Sequence, residues 1–96
     1  MTVVTLPLAE RDLEETFDHY EATRSGLGED FLVEFRRAVD RVLTHPNAWQ
    51  KMDDLHRRCR LHRFPYGVMY HLDEPQQQIV ISAVMHMHRK LQDWYR

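Results

Sequence analysis

The chain has 96 residues, 43% of them hydrophobic and 29% charged, with a formal net charge of −2; this is the size and composition of one ordinary globular domain, residues 1–96. Its single cysteine, Cys59, excludes an intramolecular disulfide and a cysteine zinc cluster. The longest apolar run, Ile79–Met85, is far short of the roughly 18 residues of a membrane span, and the first residues lack the basic segment of a secretory signal, so a reducing cytoplasm is the expected compartment.

In chain order, Thr2–Leu6 is short and β-branched and predicts a strand ended by Pro7. From Ala9 the period changes: Ala9, Leu13, Phe17 and Tyr20 form one apolar stripe, with Glu10, Asp12, Glu14, Glu15 and Asp18 on the other faces of a helix. Arg24–Asp30 breaks this pattern, with Gly26 suited to a left-handed C-terminal cap and Gly28 opening the next helix. Phe31, Phe35, Ala38, Val39 and Val42 then mark a second amphipathic helix, ended near Pro46. Two helices with so short a break predict an antiparallel hairpin.

The remainder reads as strands. Ala48–Met52 is a weak candidate. His56–Phe64 alternates, with Cys59 and Leu61 on one face and Arg58, Arg60 and His62 on the other. Gly67–Leu72 sets Val68, Tyr70 and Leu72 opposite Met69 and His71, and Gln78–His86 is apolar on both faces, as in a central strand. The order is β-α-α-β-β-β-β: an α+β fold with a helical hairpin on one face of a small, mainly antiparallel sheet. The other face is expected to be open, displaying Arg58, Arg60 and His62 beside Met69 and His71.

Charge is unevenly spread. Residues 1–48 hold ten acids and five Lys/Arg; residues 49–96 hold five acids, eight Lys/Arg and five of the seven histidines. An acidic helical surface and a cationic face are both expected, the second suited to phosphate or to an acidic protein.

Arg57–Arg89 contains a basic strand running into Phe64, Pro65 and Tyr66, then Tyr70, then an apolar strand ending in Ala83, Val84, His86 and Arg89, with Trp94 close behind. This resembles the signature of the RelE/ParE superfamily, the toxins of bacterial type II toxin–antitoxin pairs, also known as the plasmid stabilisation family. Ala9–Glu15, Leu27–Phe35 and the His-Pro pair at Pro46 are similar to the family too. The resemblance implies the same β-α-α-β-β-β-β fold. It also implies a cognate antitoxin that wraps the toxin in a hetero-oligomer. It implies no cofactor. One branch of the family resembles ribosome-dependent mRNA endonucleases and the other resembles DNA gyrase inhibitors.

For RNA cleavage, a base takes the 2′ proton, cations offset phosphate charge and an acid protonates the leaving oxygen. His86 or His62 suits the proton steps, and Arg58, Arg60 and Arg89 suit phosphate. The catalytic set of an endonuclease would be His86, Arg60 and Arg89. As a binding face, Arg58, Arg60, His62, His71, His86 and Arg89 are expected together on the open sheet. Tyr70 shares a face with Val68 and Leu72 and reads as core. Cys59 reads as buried filler and Trp94 as a plug that folds back. His86 and His88 lack a third ligand at metal-binding spacing. The net charge of −2, and a stretch from Asn47 to Arg58 with Asp53 and Asp54 but only one lysine, Lys51, favour the gyrase-inhibiting branch. The primary expectation is therefore a ParE-like toxin acting on DNA gyrase or another replication target by protein binding. The alternative is a RelE-like endoribonuclease acting on mRNA at the ribosome.

Overall fold

The structure is a computed structural model describing all residues, Met1–Arg96. The chain runs β1 (Thr2–Thr5), α1 (Pro7–Thr23), α2 (Leu27–Thr44), β2 (Gln50–Lys51), β3 (His56–Arg60), β4 (Tyr66–Asp73), β5 (Gln78–His86) and a short 3₁₀ turn, Leu91–Trp94. This is the predicted order and fold class. Pro7 sits in the first turn of α1, where its missing N–H costs nothing. Gly26 caps the N-terminus of α2 at φ 90°, a backbone region that favours glycine, and not the C-terminus of α1 as expected, where Arg24 is the cap. Gly28 is fixed for a different reason: a Cβ there would lie 2.8 Å from the backbone oxygen of Phe17, so the two helices cross closely at that point.

The sheet order is β1-β5-β4-β3-β2. β1 pairs with β5 in parallel and the other pairs are antiparallel. The main core lies between sheet and helices and includes Ala9, Phe31, Ala38, Val42, Cys59, Val68, Tyr70, Ile79, Ile81 and Val84. Tyr70 is core, as predicted, and its hydroxyl donates to the Pro46 carbonyl at 2.6 Å. Burial pushes its phenol up to about 12.

Two features depart from the sequence expectation. First, β5 carries a β-bulge: Met69 pairs with Ala83 and Tyr70 with Ile81, leaving Ser82 unpaired. Strict alternation from Ile79 and Ile81 would send Val84 and His86 to the face away from the helices. The extra residue reverses this. Val84 joins the helix-side core, while Ala83 and Met85 turn to the opposite face. Second, that opposite face is not open. Residues after β5 fold back across it, and Trp94, 1% exposed, packs with Met69, Ala83 and Met85 as a second core, with Met52 against it. Trp94 is the plug that the sequence suggested, but it seals the far side of the sheet.

The tail is held at its end by charge. Arg96 donates to both carboxylate oxygens of Asp12 on α1, at 2.8 and 2.5 Å, and to the Ser82 carbonyl at 3.2 Å. Asp12 also accepts from the Val84 N–H at 2.9 Å, so one half-buried carboxylate joins α1, the bulged strand and the chain end.

Candidate functional site

Alternation along β3 directs Arg57 and Cys59 to the helix side and Arg58 and Arg60 to the other. After Arg60 the chain leaves the sheet. The Leu61 N–H bonds the Tyr66 carbonyl at 2.9 Å, and Arg63 takes a left-handed φ of 69°. The result is a cleft of about 700 Å³ lined by Arg41, Arg58, Arg60, His62 and Arg63, with Trp49, Leu61 and Met87 as its apolar walls. No carboxylate lines it. Arg41, from the last turn of α2, donates to the Arg60 carbonyl at 2.9 Å. Arg58 is fixed from two sides. It donates to Gln50 Oε1 at 2.9 Å, and its guanidinium carbon lies 5.0 Å from the centroid of the Trp94 ring. Its buried Nε has no acceptor. Burial lowers its pKa, opposed by Tyr95 and helped to a smaller extent by the neighbouring Arg60 charge, though an arginine stays charged at any physiological pH.

His86 stands elsewhere. It pairs with Tyr66 in the β4–β5 register, beyond the bulge, and its ring lies 5.4 Å from that of Tyr66. It lines a smaller cavity of about 280 Å³ with Asp12, Glu15 and Thr16 of α1, Tyr66 and Arg89. Its Nδ1 accepts the His88 N–H at 3.0 Å, which leaves Nε2 to carry the hydrogen of a neutral ring. The 5.0 Å contact between the His86 and His88 rings belongs to this turn.

The structure therefore splits the predicted face. Arg58, Arg60 and His62 come together in the arginine cleft. His86 and Arg89 lie in a cavity on the helix side, which shares no lining residue with that cleft. The placement of His86 on the open sheet is corrected, with the bulge at Ser82 as the reason. His71 belongs to neither cavity. It stands opposite His56 on β3, the rings 5.4 Å apart, with its buried Nδ1 unpartnered. Burial, and then His56, push its pKa down. His56 is held at 3.0 Å by Asp53, whose carboxyl lies well below the usual range because it accepts the His56 and Leu55 N–H groups. No group of three or more His, Cys, Asp or Glu side chains is arranged to hold a metal ion, and no helix is long and apolar enough to cross a membrane.

Sequence reasoning missed Arg41, Trp49 and Met87 in the arginine cleft, and Asp12, Thr16 and Tyr66 around His86. Arg41 sat in a helix whose stripe explained only its apolar residues. A further groove of about 480 Å³ runs between the helices, lined by Leu13, Phe17, Leu32 and the acids Glu14, Asp18 and Glu29. It is the acidic surface that the charge distribution predicted.

No curated protein sequence matches. A solved structure titled "Chromosomal ParDE TA system from P. aeruginosa" matches with a TM-score of 0.75 at 17% sequence identity, covering 90% of this chain and 95% of that one; at that identity the likeness is one of fold. A family model described as "ParE toxin of type II toxin-antitoxin system, parDE" matches residues 3–91. Nearly the whole chain is covered, and the protein belongs to the ParE toxin family of type II toxin–antitoxin systems.

Proposed function

We propose that this toxin acts by protein binding, inhibiting DNA gyrase or another replication target, and that a cognate antitoxin neutralises it in a toxin–antitoxin hetero-oligomer. The observation that supports a binding rather than a catalytic reading is that the expected catalytic set, His86, Arg60 and Arg89, is divided between two cavities. Cleavage of RNA by in-line attack needs its proton-transfer group within hydrogen-bond reach of the 2′-hydroxyl, while cations hold the same phosphate. Here His86 and Arg89 line one cavity, while Arg60 lines the other beside Arg58 and His62. His86 is also engaged through Nδ1 by the His88 N–H.

The antitoxin reading is supported by the family match and by the surface. The groove between α1 and α2 joins apolar side chains to three carboxylates, which suits an amphipathic helix with basic residues on its rim. The chain is the protein to add to purified gyrase in a supercoiling assay. The expected result is inhibition by micromolar toxin, reversed by the product of a neighbouring antitoxin gene. Undiminished supercoiling overturns the gyrase reading. Specific mRNA cleavage on translating ribosomes, reduced in His86→Ala and Arg60→Ala, would establish the endoribonuclease in its place.

A further inference from the structure

The arginine cleft holds more positive charge than the fold uses. Among its guanidiniums, Arg41 is satisfied by a backbone carbonyl and Arg58 by the Gln50 amide oxygen. Arg63 has a carboxylate partner, Asp30, at 3.5 Å, outside the cleft lining and with both side chains about half exposed; such a pair contributes little. Arg60 is exposed and makes no side-chain hydrogen bond or ion pair, and the buried Arg58 Nε has no acceptor at all. A buried donor without an acceptor is costly, and native structures satisfy nearly all of them. Arg63 is also held at a positive φ, which a non-glycine residue adopts at a cost.

The second observation is the sheet edge beside the cleft. β2 is the outermost strand, two residues long and exposed, and it pairs on one side only. Gln50 of β2 pairs with Arg58, so its side chain lies on the cleft side of the sheet. An extended segment added along β2 would point every second side chain beside Gln50, toward the guanidiniums.

We propose that the arginine cleft, together with the β2 edge, is a docking site for an extended, carboxylate-rich peptide segment of a partner protein. Arginine's planar fork matches a carboxylate bidentately, and the Trp49, Leu61 and Met87 walls accept the apolar residues of such a segment. A nucleic acid fits less well. Its affinity would come from a run of phosphates, whereas this chain is net negative and sets Asp30 beside Arg63 at the rim. The proposal rests on the protein-binding reading above and names the chemistry of the bound segment.

The test is fluorescence anisotropy of the intact protein with three labelled probes: a decapeptide alternating Glu and Val, the same peptide with Gln for Glu, and a single-stranded RNA decamer. The Glu peptide is expected to bind, and to weaken at least about tenfold in Arg60→Glu and in Arg41→Ala. Arg60 is an exposed strand residue, so Arg60→Glu should keep its thermal melt. Equal binding of the Gln peptide, unchanged affinity in both variants, or tighter binding of RNA overturns the proposal. Running the supercoiling assay on the same preparations separates the two ideas. Gyrase inhibition without peptide binding removes the cleft alone, and peptide binding without gyrase inhibition removes the target alone.

Discussion

Trp94→Ala is the sharpest probe of how this fold is held. Trp94 is 1% exposed and packs on Met69, Ala83 and Met85, so the truncation empties a cavity in the second core. Its Nε1 makes no hydrogen bond, and the loss is therefore one of packing. Removing a buried Trp to Ala costs about 3–5 kcal/mol, within which the Arg58 stacking accounts for roughly 0.5–1 kcal/mol. Domains of this kind are stable by only about 5–15 kcal/mol. At about 4–8 °C per kcal/mol for a chain of this length, Tm should fall by at least about 12 °C. Trp94→Phe, which keeps a ring under Arg58, should fall less. Thermal melts followed by circular dichroism, with urea titration for the m-value, decide the matter. A fall of under about 4 °C for Trp94→Ala, with m unchanged, would mean that the tail detaches locally without loosening the sheet, and the description of a second structural core would fail.

Other outcomes follow from particular contacts. Tyr70→Phe removes the bond to the Pro46 carbonyl and should cost roughly 1–2 kcal/mol in urea unfolding while leaving toxic activity per folded molecule unchanged, since Tyr70 is core and outside both cavities. His71 carries a pKa lowered from 6.5 by burial and by His56. The unfolded chain therefore binds its proton first as pH falls, so stability is full above about 6.5 and declines below it. Between about pH 7.5 and about pH 5.5 the wild-type Tm should drop more than that of His71→Gln, and equal drops would contradict the assignment. Asp12→Asn should weaken the Arg96 clasp and expose the tail to limited proteolysis earlier than in the wild type; identical cleavage kinetics would show that packing of Trp94 alone holds the tail.

The order of elements is legible from local periodicity alone: the 3.6-residue stripe through Phe31, Ala38 and Val42, the alternation of Cys59 with Arg58 and Arg60, and the break at Gly26. The same local signals placed Tyr70 in the core and Arg58, Arg60 and His62 on one side. What local periodicity does not encode is a change of phase. One extra residue at Ser82 moved Val84 and His86 to the helix side, and strict alternation could not register it, because a bulge is defined by the partner strand. Nor does a pattern along β3 reveal what crosses it from far away in the chain. Arg41 arrives from α2, Trp94 returns from the tail to lie under Arg58, and Asp12 meets Arg96 across 84 positions of sequence. Packing between distant segments decided which cations share a cleft, and it set His86 apart from them.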